Sequence, residues 1–250
     1  ARAEINIYAS GSAIEQSLLH GHHKVADWLF LHGAVGHPLT YCVTNNMAAL
    51  AEHLRAHPEA REGLLWGAIL AGNESVVAHE LAHGTPVPPD RQFSLLEQAI
   101  RGWRVGNLKI GNDGWDRRSC GRNLQRLVDA GMNLKARNSR TSRADFTILH
   151  HLAARSCNPV HYGHTVEEVI DFARILVDGG AEVNTLESQL HSTPLGWAAR
   201  YDQVELCRIL LSRGADANLA GADWARPLAW AERYGHDQIV TLLREAGATT

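Results

Sequence analysis

Residues 192–218 read STPLGWAARYDQVELCRILLSRGADAN, and residues 224–249 follow with WARPLAWAERYGHDQIVTLLREAGAT. Each stretch holds a Pro-Leu step, an Ala-rich segment, a polar break, a Leu-rich segment and a Gly-Ala turn, in that order. Trp197 and Trp230 stand about 33 residues apart, as do Tyr201 and Tyr234, so the echo keeps its register. The apolar spacing in each half is helical. Pro194 suits the first turn of a helix, where its missing donor costs nothing. Gly214 suits the left-handed residue that ends one. A helix pair of this size cannot bury its apolar face alone and must stack on like neighbours, which predicts an all-α solenoid.

The pattern continues toward the N-terminus. Thr147-Ile148-Leu149-His150 opens a fifth repeat, closed by Gly180-Ala181-Glu182-Val183-Asn184. Ser94-Leu95-Leu96-Glu97 opens a fourth, closed by Gly131-Met132-Asn133-Leu134, and Leu65-Trp66-Gly67-Ala68 a third, closed by Gly84-Thr85-Pro86-Val87. Weaker echoes run from His37-Pro38-Leu39-Thr40 to Ala56-His57-Pro58 and from Ser12-Ala13-Ile14-Glu15 to His32-Gly33-Ala34.

Thr193-Pro194-Leu195 with the closing Gly214-Ala215-Asp216-Ala217-Asn218 resembles the ankyrin repeat. That family's signature is a Thr-Pro-Leu-His step, two antiparallel helices and a Gly-Ala-Asp-x-Asn turn. Gly196 stands where the family has histidine, whereas His150 keeps it. The resemblance is clear over about 145–250 and degenerate over 5–144. It implies about seven helix-turn-helix repeats in a single solenoid over residues 1–250, with a protein or peptide partner held in a concave groove. Two repeats run longer than the template, with insertions expected at 102–121 (GWRVGNLKIGNDGWDRRSCG) and 156–165 (SCNPVHYGHT). Both interrupt the helix-to-helix connection of adjacent repeats, where insertions carry specificity.

Composition narrows the function classes. The net charge of −3 and the pI near 6.6 argue against a nucleic-acid surface. No apolar run approaches the ~18 residues of a membrane span. The opening ARAEINIYAS lacks the basic-then-apolar pattern of a secretory signal. Cys42, Cys120, Cys157 and Cys207 are scattered, as in a reduced, cytoplasmic protein. A monomer is expected, and no cofactor.

Candidate sites follow from residue type and register. Tyr41, His151, Trp197 and Trp230 share one first-helix position, and Arg200-Tyr201 repeats as Arg233-Tyr234 one turn later. Trp, Tyr and Arg dominate binding hot spots, so Tyr41, His151, Trp197, Arg200, Tyr201, Trp230 and Tyr234 are the expected binding residues. The competing account is that these rings pack between repeats. His151 is expected to be freer than its neighbour to face a ligand. From the family resemblance, His150 is implied to tie a neighbouring loop by a hydrogen bond. Arg137, Arg140 and Arg143 fall on a turn that suits an acidic partner as a basic finger.

His79-Glu80-Leu81-Ala82-His83 is an HExxH string, which on a helix puts two imidazoles on one face for zinc. The repeat register gives a competing account. It aligns Glu80 with Leu210, a buried position where a carboxylate needs a partner. Cys157, His161 and His164, with Cys120, form a second candidate zinc set. An enzyme that had turned the groove into a pocket, a lyase, isomerase or hydrolase, would draw on Glu97, His150, His151, Arg155 and Trp197.

Overall fold

The computed structural model describes residues 47–56, 61, 64–70, 72–101, 118–138, 145–155 and 164–249. Among them are eleven α-helices and no strand. The chain divides into two compact parts, residues 1–86 with 101–126, and residues 87–100 with 127–250.

In the first part lie α1 (Met47–Ala56), α2 (Leu64–Leu70), α3 (Glu74–Ala82) and most of α5 (Arg118–Asp129). Helices α2 and α3 pack on each other, the third repeat read from the sequence. Asn73 caps α3, its side chain accepting from Val76 N at 3.0 Å. Glu74, in the first turn of α3, pairs with Arg122 at 2.6 Å and Arg126 at 3.0 Å on α5.

In the second part lie nearly all of α4 (Pro89–Arg101) and the helices α6 (Ile148–Arg155), α7 (Val166–Asp178), α8 (Pro194–Arg200), α9 (Val204–Ser212), α10 (Pro227–Tyr234) and α11 (Asp237–Glu245). A 3-10 turn at Asp223–Ala225 leads into α10. Helix α8 packs between α6 and α10, and α9 between α7 and α11. First helices thus form one layer and second helices another, with Leu195, Leu210, Leu176, Ile239 and Leu243 buried in this part. The pairs α6–α7, α8–α9 and α10–α11 are the three repeats that the sequence shows most clearly.

The closing turns are built alike. Gly84, Gly131, Gly180, Gly214 and Gly247 all have positive φ, between 67° and 94°. The residue after each donates its N–H back across the helix end: Thr85 to Glu80, Met132 to Leu127, Ala181 to Leu176, Ala215 to Leu210 and Ala248 to Leu243. This is the Schellman closure, which needs a residue without a Cβ in the left-handed region. It fixes the register of the degenerate third and fourth repeats as firmly as that of the sixth. The asparagine ending the turn then latches the next one. Asn184 accepts from Asp216 N at 2.8 Å and donates to Gly214 O at 2.9 Å, and Asn218 does the same with Thr249 N and Gly247 O.

Three expectations change. Helix α5 begins at Arg118, so residues 118–121, expected to end the first insertion, are its first turn, with Ser119 and Cys120 buried. Thr165 likewise caps α7 in a capping box with Glu168 rather than belonging to a loop. The remainder of both insertions, 102–117 and 156–163, lies outside the described residues, as do the first expected repeat and Tyr41. Arg137 is not a free finger: its guanidinium meets the Asp145 carboxylate at 2.6 Å and Leu186 O at 3.2 Å. Arg140 and Arg143 lie outside the described residues.

Candidate functional site

Helices α8 and α10 start the same way and therefore present the same residues. Thr193 caps α8, its hydroxyl accepting from Gly196 N at 3.2 Å, and Pro194 and Pro227 occupy the first turns. The fourth helical residues are Trp197 and Trp230, and one turn on come Arg200-Tyr201 and Arg233-Tyr234. Each tryptophan stacks on the tyrosine four residues later, with centroids 5.9 Å apart in α8 and 6.1 Å in α10.

Arg200 joins the two stacks. Its guanidinium carbon lies 4.5 Å from the Trp230 ring centre, 5.5 Å from Trp197, 5.6 Å from Tyr234 and 5.9 Å from Tyr201. All four distances fall within cation–π range, each contact worth about 0.5–2 kcal/mol depending on its desolvation. Arg233 stands 5.8 Å from Trp230 on its own helix. Trp224, from the 3-10 turn, meets Trp230 edge-on at 5.9 Å, and His236 stacks on Tyr234 at 6.0 Å. The tryptophans of the helices form a floor, 7 % exposed at Trp197 and 3 % at Trp230. Tyr201, Tyr234 and Trp224 form a rim, exposed at 40 %, 47 % and 50 %. Packing and presentation are therefore divided between residue types: the indoles at the shared position bury, and the tyrosines one turn later stay open.

The two floor tryptophans differ in one respect. The Trp230 indole N–H donates to Ser192 Oγ at 3.2 Å. Ser192 immediately precedes the capping Thr193, and the residue in that place one repeat earlier is Phe146, before Thr147. Phe146 meets Trp197 edge-on at 4.9 Å, and the buried Trp197 indole N–H has no hydrogen-bond partner among the described residues. Phe93 repeats the arrangement on His151, edge-on at 5.9 Å.

His150 and His151 part company. His150 is fully buried, with Nδ1 accepting from Thr147 Oγ1 at 2.8 Å and Thr147 N at 3.3 Å. Nε2 then carries the hydrogen and donates to Ser192 O at 3.2 Å, the inter-repeat tie that the family resemblance implied. Burial pushes its pKa down to about 4. Both ring nitrogens are engaged in structural hydrogen bonds. His151, expected to be the freer, is itself buried, its Nε2 3.6 Å from Glu97 Oε1. Glu97 reaches His151 alongside Phe93 because α4 supplies the ring and the carboxylate one turn apart. Arg155 ends α6, and its side chain lies outside the described residues.

Gly196 explains its own departure from the family pattern. A Cβ there would meet Ser192 Oγ at 2.1 Å. That hydroxyl donates to Ala225 O at 2.9 Å, the carbonyl one repeat beyond the one His150 reaches. Serine thus makes the tie from the other side, and glycine clears the space. Glu187, also buried, shapes the preceding turn by accepting from Leu190 N at 2.9 Å and Ser192 N at 3.2 Å. The sequence reading singled out none of Ser192, Glu187 and Trp224. The serine before Thr-Pro, paired with glycine at the histidine position, was the available signal.

The HExxH string sits on α3 in repeat register. Glu80 is fully buried and receives Thr85 Oγ1 at 2.8 Å and Arg61 Nη1 at 3.0 Å, with His79 Nδ1 at 3.1 Å. His83 stacks on His79 with centroids 4.1 Å apart, and its Nδ1 donates to His79 O at 2.7 Å. Among the described residues no three His, Cys, Asp or Glu side chains gather as a metal site. His164 packs edge-on against Phe172 at 5.2 Å, its Nδ1 3.4 Å from Glu168. Cys120 and Cys207 are both buried, and burial raises the Cys207 pKa above the usual thiol range. Cys157 and His161 lie outside the described residues. No helix among the described residues is long and apolar enough to cross a membrane.

No curated protein matches the chain. The family model for ankyrin repeats in three copies matches residues 164–250, a span that holds α7 to α11 and every ring of the aromatic–arginine cluster. Residues 164–250 of the chain are ankyrin repeats.

Proposed function

We propose that the protein is a binding module that seats a protein or peptide partner in a concave groove along the first-helix layer of its C-terminal repeats. Ankyrin repeats generally mediate protein–protein interaction. The observation that carries the reading here is the cluster around Arg200: a buried indole floor under an exposed rim of Tyr201, Tyr234 and Trp224. Exposed aromatic rings held rigid by stacking bury large areas on contact at little entropic cost. The buried, free thiol of Cys207 fits a reducing, cytoplasmic setting, and the module acts as a monomer.

Peptides selected from a random display library against the full chain test this. Exchanging Tyr201 and Tyr234 together for alanine removes exposed rim and leaves the floor, so circular dichroism stays unchanged. Binding of the selected peptides should weaken at least about tenfold. Amide exchange should slow on 194–201 and 224–236 when a peptide binds. Unchanged affinity in the double variant, or protection confined to α7, α9 and α11, would overturn the proposal.

A further inference from the structure

Resting on that reading, we infer that the partner's anchor is a carboxylate on an acidic peptide segment, received by the edge of the Arg200 guanidinium. Four rings from two adjacent repeats surround this group and contact it through their π systems. Such contacts hold the charge in place but use none of its five N–H donors. Among the described residues no acceptor and no carboxylate takes them, nor those of Arg233.

The acidic side chains of these turns and helices face other groups. Asp202 lies 3.6 Å from His236, Asp223 is paired with Arg226 at 2.8 Å and Glu232 with Arg244 at 2.9 Å. Two arginines consequently share one aromatic patch with no internal counter-charge. A third donor, the buried Trp197 N–H, also has no acceptor among the described residues. A half-buried planar guanidinium set among aromatic rings, with its N–H donors untaken, matches a carboxylate bidentately.

The alternatives fit less well. A cationic side chain, the usual guest of an aromatic cage, meets a cage already occupied by Arg200. A purely apolar segment would cover the guanidinium without an acceptor, at the cost of a desolvated charge. A nucleic-acid backbone needs a run of cations, whereas the chain carries net charge −3.

The test uses the full chain and the tightest dodecapeptide selected from a random display library. Its affinity is compared with that of the same peptide carrying Gln or Asn for each Glu or Asp, on wild type, Arg200→Gln and Arg208→Gln. Arg208, exposed on α9, serves as the distant control. The selected peptides should share an acidic position whose amide exchange weakens binding about tenfold on wild type and on Arg208→Gln. On Arg200→Gln the acidic and amide peptides should bind alike. If Arg200→Gln lowers the melting temperature markedly, Arg200→Lys keeps the charge without the planar fork and should shrink the acidic preference.

Selected peptides without an acidic position, or an acidic preference that survives intact in both Arg200 variants, overturn the inference. If such peptides still respond to the double exchange of Tyr201 and Tyr234, the groove reading stands and only the carboxylate anchor falls. Peptides indifferent to both sets of variants remove the two together.

Discussion

Glu80 on α3 and Leu210 on α9 occupy the same place in their repeats, each supplying the backbone carbonyl that accepts the N–H of the closing turn, and each fully buried. One is a carboxylate held by Arg61, Thr85 and His79; the other is a leucine in an apolar layer. The closing turns beyond them are alike, with a left-handed glycine at Gly84 and at Gly214. The repeat therefore fixes backbone closure strictly and side-chain chemistry loosely. A buried position accepts a charge where partners come with it.

Transplanting one side of the comparison into the other should give the largest effect. Leu210→Glu places a carboxylate in the apolar layer without counterparts of Arg61 or Thr85. The expected loss is on the order of 4 kcal/mol or more in urea unfolding. A variant within about 1 kcal/mol of wild type would break the comparison.

A second buried titratable group offers a pH test of the same idea. His150 has a pKa of about 4 in the folded chain against 6.5 when unfolded. Between those values the unfolded chain binds more protons, so the neutral His150 contribution is complete above pH 6.5 and is lost as pH falls toward 4. The expected loss over that window is up to about 3 kcal/mol. His150→Asn should flatten that part of the stability–pH curve, and an unchanged slope would assign it to other groups.

Removing Glu80's partner is next in size. Arg61→Ala leaves the buried carboxylate short of its cation and should cost about 1–3 kcal/mol. Adding Glu80→Leu, which copies the Leu210 position, should recover most of it. Failure of the double variant to recover would mean that the surroundings of Glu80 are shaped for charge beyond these partners.

The smallest effect concerns the turn between paired helices. Asp202 has φ of 56° where Gly72 and Gly235 stand in the corresponding turns. Asp202→Gly should relieve the left-handed strain and gain about 0.5 kcal/mol, less whatever the contact with His236 contributes. A loss instead of a gain, read as a lower melting temperature, would show that the contact outweighs the backbone.

Most of the fold was legible because its signals are local. The closing glycines could be placed in the degenerate repeats because only left-handed geometry ends those helices. Helix starts with unusual residues were less legible: Arg118-Ser119-Cys120 reads as loop chemistry and proved helical, since nothing in a short polar run reveals which side chains will be covered. The aromatic row was legible as a row. Its division into floor and rim was not, because tryptophan and tyrosine obey the same spacing whether they pack or project.

The repeat follows from local signals in the sequence: the helical period, the proline and threonine starts and the glycine ends. Each depends on backbone preferences within a few residues. Helix stacking alone puts Arg200 among four rings, lets Ser192 serve Trp230 from 38 residues away, brings Arg61 to Glu80 across 19, and lets Asn184 and Asn218 latch the next turn. Those outcomes depend on which side chains the stacking of helices brings together, and stacking brings together residues that the chain keeps apart.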